Sequence, residues 1–82
     1  MERQEILSKL NSILEDIIDN SRISLSESTT SGDVEGWDSL AHIQLIVALE
    51  KTYKIKFSSN EILGWKNVGE IIDAVLTKKS LN

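Results

Sequence analysis

The chain has no cysteine, and this absence excludes several kinds of site at once. A disulfide framework, a thiolate zinc site and a cysteine nucleophile are all impossible without it. His42 is the single histidine, so a cluster of imidazole metal ligands is excluded as well. The fold must therefore be stabilised by side-chain packing alone.

Long apolar runs and an excess of positive charge are also missing. The longest run, LIVAL at residues 45–49, is far shorter than the roughly 20 residues of a membrane-spanning helix. The start of the chain, MERQEILSKL, carries acids where a secretory signal has a basic start and an apolar stretch, so we expect a cytoplasmic protein with no membrane partner. The net charge of −4 argues against a nucleic-acid partner, because phosphate backbones are bound by clustered Lys and Arg.

The negative charge is concentrated in the N-terminal part of the chain. Residues 1–37 hold eight acids and three bases, residues 38–57 hold two and three, and residues 58–82 hold three of each. Partners with basic docking faces fit the overall charge best. The apolar content of 40 % is enough for one compact core at this length, which predicts a single domain over residues 1–82.

Apolar residues repeat at helical spacing in two long stretches of the first two-thirds of the chain. The first stripe consists of Ile6, Leu7, Leu10, Ile13, Leu14, Ile17 and Ile18. The second begins near Asp38 or Ser39, ends near Tyr53 or Lys54, and contains Leu40, Ile43, Ile46, Val47, Leu49, Glu50 and Tyr53. Residues 20–37 between them lose the period and predict a long loop, pinned to the core by Ile23, Leu25 and Val34.

Two capping boxes mark the starts of two further helices. Ser58 is followed three residues later by Glu61, and Asn67 by Glu70, so each pair is expected to satisfy free N–H groups of a first turn. The first box opens a short helix that stops at Gly64, and the second opens a longer one. The sequence therefore predicts an all-α four-helix bundle with three long helices, one short helix and a long loop between helices 1 and 2.

Asp38, Ser39 and His42 are the three residue types of a hydrolase triad, placed within five positions. Adjacent residues of a helix point about 100° apart. A triad instead needs its histidine between the acid and the nucleophile, within hydrogen-bond reach of both. With no other catalytic pattern and no spaced set of metal ligands, the chain is predicted not to be an enzyme.

Ser39 lies in the first turn of the second helix, after a loop that contains Gly36. A hydroxyl at this position is accessible to a modifying enzyme. An anionic group attached to it would be favoured by the free N–H groups and the positive end of the helix dipole. Serine is also common at helix starts, so a simple capping role stays open as an alternative.

The triplet Asp38-Ser39-Leu40, followed by AHIQLIVALEKTYKIKF, resembles the signature and second helix of the acyl carrier protein family. The resemblance covers nearly the whole chain and includes VGEIIDAVL of the last helix. It implies that Ser39 bears a 4′-phosphopantetheine arm, installed from coenzyme A by a magnesium-dependent phosphopantetheinyl transferase. The thiol of the arm holds an acyl group as a thioester, and acyl-loading and acyl-transferring enzymes act on it.

The resemblance also implies a set of partner contacts around Ser39. Asp38 corresponds to the acid that meets the transferase and its metal, and Leu40 to the apolar contact beside the arm. The predicted partner-binding residues are Asp38, Leu40, Ile43, Val47, Glu50 and Trp37. Ile43 and Val47 are at the same time expected to pack in the core, and Trp37 either closes over the loop or is an exposed anchor.

The second helix differs from that of carriers in primary fatty-acid synthesis, which is rich in acids. The corresponding face here reads Ala41, His42, Gln44, Glu50, Lys51 and Lys54. His42 is expected to be a solvated residue. The pattern resembles stand-alone carriers of specialised pathways, such as polyketide-like, surface-polysaccharide or other secondary metabolism, and we expect a monomer. An aminoacyl or peptidyl carrier, or a helical interaction module without an arm, are the alternatives.

Overall fold

The computed structural model describes residues 2–20 and 22–80, and the regular elements in these ranges are all helices joined by loops. The helices are α1 (Arg3–Ile18), α2 (Ser39–Tyr53), α3 (Ser59–Gly64) and α4 (Val68–Ser80), with a short 3-10 turn at Ser31–Asp33. The prediction of three long helices and one short helix is confirmed. None of the helices in the described ranges has the length and apolar character needed to cross a membrane.

Helix α1 begins with a capping box and ends in a left-handed residue. The backbone N–H of Glu2 donates to Glu5 Oε1 at 3.2 Å, and Asp19 closes the helix with a φ of 53°. Its buried residues are Ile6, Leu10 and Leu14, one turn apart on a single face. This face packs against both α2 and α4, so α1 joins the two other long helices into one core.

Helix α2 buries a face that only partly matches the predicted stripe, since Ile46 and Leu49 of that stripe are buried and others are not. Its buried residues are Ala41, Leu45, Ile46 and Leu49. The expectation that Ile43 and Val47 pack in the core is wrong, because both are exposed. Every residue from 45 to 49 is apolar, so the apolar period does not decide which face of α2 is buried. Packing against α1 selects the face that includes the small residue Ala41.

The loop between α1 and α2 is attached by hydrogen bonds to α1 and to the start of α4. The side chain of Asn11 on α1 accepts the Leu25 N–H at 2.8 Å and donates to the Ile23 carbonyl at 3.2 Å. At the start of α4, the N–H groups of Val68 and Gly69 donate to loop carbonyls at 2.9 and 2.8 Å. The loop residues predicted to enter the core do so, with Leu25 buried and Ile23 and Val34 packed against it.

Helices α3 and α4 start as the capping pattern predicts, with one difference. Ser58 and Glu61 form the full box. Asn67 Oδ1 accepts the Glu70 N–H at 3.0 Å, but Glu70 Oε1 accepts the N–H of Lys66 at 3.1 Å, one residue earlier than in a capping box. Two lysines at the end of α4 then contact the rest of the fold: Lys78 pairs with Glu61 at 2.9 Å, and Lys79 Nζ donates to the Tyr53 carbonyl at 3.2 Å.

Candidate functional site

Ser39 is the first residue of α2 and its side chain is exposed. The approach to it is fixed by a tight turn at Gly36, whose φ of 95° is disfavoured for any residue with a side chain. A Cβ at Gly36 would also lie 3.4 Å from Ile18 Cβ at the end of α1. The turn therefore sets the start of α2 close to α1 and leaves Ser39 at the surface.

The start of α2 has the electrostatics of an anion site. Asp38 caps the helix, with its Oδ1 accepting the Ala41 N–H at 2.8 Å. The first α-helical hydrogen bond runs from the His42 N–H to the Asp38 carbonyl at 2.9 Å, so the amides of Ser39 and Leu40 precede the helical ladder. Together with the positive end of the helix dipole, these amides favour a negative group attached at Ser39.

His42 is half-buried beside two tryptophans, which corrects the expectation of a solvated residue. Its Nδ1 accepts the indole N–H of Trp37 at 3.1 Å, and its ring meets the edge of Trp65 at a centroid distance of 6.3 Å. Burial lowers the pKa of His42, so the ring is neutral near pH 7, as an accepting Nδ1 requires. A triad with Asp38 and Ser39 is excluded, because Nδ1 is occupied by Trp37 and the Asp38 carboxylate caps the helix.

Three large apolar side chains are exposed in a row along α2. Leu40, Ile43 and Val47 have exposed fractions of 64, 59 and 42 %, and their spacing places them on one face that starts next to Ser39. We call these three residues the apolar strip. Such a contiguous exposed apolar surface is typical of an interaction site.

The other two predicted partner residues are used within the fold. Trp37 is only 7 % exposed, so the hypothesis of an exposed anchor is wrong and the packing alternative holds. Glu50 is partly buried, and its Oε2 accepts the Phe57 N–H at 2.9 Å, which holds the turn after α2. The contact between Trp37 and His42 was missed by sequence reasoning, although a buried indole needs an acceptor and His42 is five residues away.

These residues fit a group attached through a phosphodiester. The Ser39 hydroxyl is reachable from solvent, the helix start is suited to negative charge, and the apolar strip begins at the next residue. The only other α-helix that begins at an exposed serine in the described ranges is α3, at Ser59. Its six residues give a much shorter dipole, and no comparable apolar strip follows it.

Comparison with known proteins agrees with this geometry. The model of the family described as "Phosphopantetheine attachment site" matches residues 5–75. The solution structure of a holo acyl carrier protein from Geobacter metallireducens is 41 % identical, with 92 % of this chain and 86 % of that chain covered and a TM-score of 0.83. The chain has no significant match among curated proteins.

A second solved structure extends the agreement in fold over the full length. The crystal structure of an acyl carrier protein from Thermotoga maritima is 24 % identical, covers 100 % of this chain and 96 % of that chain, and has a TM-score of 0.86. At this identity the likeness shows the fold. The family match and the Geobacter metallireducens relative carry the assignment further: this chain belongs to the acyl carrier protein family, whose members are carriers with covalently attached phosphopantetheine and are not enzymes themselves.

Proposed function

We propose that Ser39 is the attachment residue and that the chain presents acyl groups, held on the arm, to partner enzymes. The observation that carries the proposal is the exposed hydroxyl of Ser39 at the first position of α2, within the matched range of residues 5–75. When bound, the arm supplies a terminal thiol that holds an acyl group as a thioester. Because the chain has no cysteine, it has no thiol of its own to compete for the acyl group.

The residues around Ser39 have distinct parts in this proposal. Asp38 is exposed and adjacent to the reacting hydroxyl, which suits it to contact the transferase and its magnesium ion. Leu40 is the first residue of the apolar strip and gives the transferase an apolar contact beside the arm. Trp37, held by His42, keeps the approach to Ser39 in one conformation.

The experiment is a mass measurement on matched serine variants. The purified chain is incubated with coenzyme A, magnesium and a phosphopantetheinyl transferase, and its intact mass is recorded. We expect one added phosphopantetheinyl group on the wild type and on Ser59→Ala, and none on Ser39→Ala. Ser59 is a matched control because it is also exposed and also the first residue of a helix.

Two outcomes would contradict the proposal: an unmodified wild type, or addition that persists in Ser39→Ala. The alternative of a capping serine makes a different prediction. It expects Ser39→Ala to lower the free energy of unfolding by about 1 kcal/mol and to leave biological function intact. In the structure the cap is Asp38 rather than Ser39, which favours the carrier role.

We also propose that the carrier serves a specialised pathway rather than primary fatty-acid synthesis. The support is the exposed surface of α2, where Gln44, Lys51 and Lys54 provide no negative charge for a basic partner face. We expect poor malonyl loading by the malonyl transferase of fatty-acid synthesis. Efficient loading at physiological salt, measured as the mass of the malonylated carrier, would refute this.

The remaining expectations concern the state of the protein in the cell. A single hydrophobic cluster includes residues of α1, α2, α4 and the loop, which supports one domain over residues 1–82. We propose that this domain acts as a monomer in the cytoplasm. Light scattering at micromolar concentration, with a mass of 9.2 kDa expected, tests the monomer.

A further inference from the structure

A surface groove of about 630 Å³ lies at the C-terminal end of α2, remote in sequence from Ser39. Its base is apolar, since Ile55 lines it while being only 5 % exposed, and Val47 of the apolar strip borders it. Four lysines also line it: Lys51, Lys54, Lys56 and Lys78. The groove is therefore strongly basic although the chain as a whole has a net charge of −4.

Most of this positive charge is available to a partner. Lys51, Lys54 and Lys56 are exposed, and none of them forms an ion pair within residues 2–20 and 22–80. The carboxylate that also lines the groove, Glu50, is engaged by the Phe57 N–H. Only Lys78 is paired, with Glu61 at 2.9 Å.

Lys54 closes α2 in the same left-handed backbone conformation with which Asp19 closes α1, and the φ of Lys54 is 57°. Helices commonly place glycine or asparagine at such a position, because a side chain there is disfavoured. The chain instead holds a lysine at this position, with its side chain exposed beside the groove.

The groove continues the exposed surface that begins at Ser39. Val47 belongs to both the apolar strip and the groove, so the two form one surface along α2. From Ser39 to Lys54 this surface extends about 22 Å, given a rise of 1.5 Å per residue. A small anion covers only a fraction of that length, whereas the face of a protein covers all of it.

We infer that the groove is a docking site for an acidic face of the partner enzymes, with partner carboxylates meeting Lys51, Lys54 and Lys56. The inference rests on the proposed carrier function, since the partner is the enzyme that acts on the group held at Ser39. It reverses the expectation from net charge, which favoured partners with basic faces. The charge that a partner meets is that of the surface it covers, and on this surface it is positive.

The test uses a defined probe and the unmodified chain. The probe is a synthetic amphipathic helical peptide with leucines on one face and glutamates beside them. Its control is the same peptide with every glutamate replaced by lysine. Binding is followed through the backbone amide NMR signals of residues 40–56, and we expect the acidic peptide to shift them and the basic peptide not to.

Two charge-reversal variants locate the contact. Lys51→Glu with Lys56→Glu should weaken binding of the acidic peptide at least about tenfold. The control pair, Lys9→Glu with Arg22→Glu, changes the net charge by the same amount at exposed positions outside the groove. It should weaken binding of the acidic peptide less than about threefold. Equal weakening by both pairs would show a non-specific charge effect and overturn the inference.

Further arms exclude other occupants. Binding of the basic peptide, or no binding of the acidic one, would overturn the inference, and so would tighter binding of inorganic pyrophosphate or of phosphatidylglycerol vesicles than of the acidic peptide. The Ser39→Ala variant should bind the acidic peptide as the wild type does. The peptide experiment therefore tests docking alone. The carrier proposal is tested separately, by the mass added at Ser39.

Discussion

The two ends of α2 are held in different ways. The N-terminal end depends on its own approach segment: Asp38 caps it, and Trp37 packs beneath it with its indole N–H on His42. The C-terminal end is held by other segments, through Glu50 on the Phe57 N–H and Lys79 of α4 on the Tyr53 carbonyl. Trp65, which follows α3, also meets His42 at the N-terminal end, yet Ser39 itself stays exposed there.

The two ends also differ in what they expose. The surface beside Ser39 includes the apolar strip and the Asp38 carboxylate, whereas the far end exposes three lysines over an apolar groove. A partner that meets both ends would be positioned along the helix by the charge of one end while it acts at the other. Substitutions at each end can separate the contacts that maintain the fold from the surface that is offered to partners.

The largest effect is expected at Trp37. Replacement by alanine removes a large side chain that is 7 % exposed, together with its bond to His42, and should lower the free energy of unfolding by about 3 kcal/mol or more. Trp37→Phe keeps an aromatic ring but loses the hydrogen bond to His42, so the free energy of unfolding should fall by about 1 kcal/mol. Urea denaturation measures both, and a loss below about 1 kcal/mol for the alanine variant would contradict the role of Trp37 as the support of this end.

The matching substitution at the other end is Glu50→Ala. It removes a charged acceptor from the Phe57 N–H in a partly buried position, so a loss of about 2 kcal/mol is expected. Glu50→Gln keeps an acceptor oxygen without the charge and should lose less. Glu35→Ala is the control at an exposed position and should stay within about 0.5 kcal/mol of the wild type in the same denaturation experiment. A Glu50→Ala variant as stable as this control would show that the turn after α2 needs no carboxylate.

A smaller effect is expected at the cap of α2. Asp38→Ala leaves the Ala41 N–H without its acceptor and should lower stability by about 1 kcal/mol, because only one turn of one helix is affected. Asp38→Asn retains an acceptor oxygen and should cost less. If Asp38→Ala and Asp38→Asn lower the free energy of unfolding equally, the negative charge at the helix start contributes more to stability than the hydrogen bond does.

Helix positions were predictable from the sequence because their signals are local. The serine and glutamate around residues 58–61 form a box within one turn, and the seven apolar residues of α1 allow one buried face only. The buried face of α2 was not predictable in the same way. Its centre is apolar on all sides, so the choice between Val47 and Leu45 as the core residue depends on where α1 lies.

The candidate site was predictable to a similar extent. Ser39 was predicted as the candidate residue from its position and its neighbours, whereas the capping role that the sequence offered to Ser39 belongs to Asp38 in the structure. The contact of His42 with Trp65 could not be predicted from the sequence, because Trp65 follows another helix. The basic groove was hidden for the same reason: Lys78 and Lys51 are brought together by the packing of α4 against the bundle.

The smallest expected effect is a pH dependence at the Ser39 end. Burial lowers the pKa of His42 in the folded chain below its ordinary value of about 6.5, so the unfolded chain takes up the proton first as the pH falls. The stability that neutral His42 contributes is thus present above about pH 6.5 and is lost as the pH falls through the lowered pKa. A protonated Nδ1 also has no lone pair for the Trp37 N–H, so acidification weakens the contact that supports the approach to Ser39. Urea denaturation at pH values between about 5 and 8 should show a decline in the wild type that is smaller in His42→Gln, whereas wild-type stability that rises on acidification would contradict the assignment.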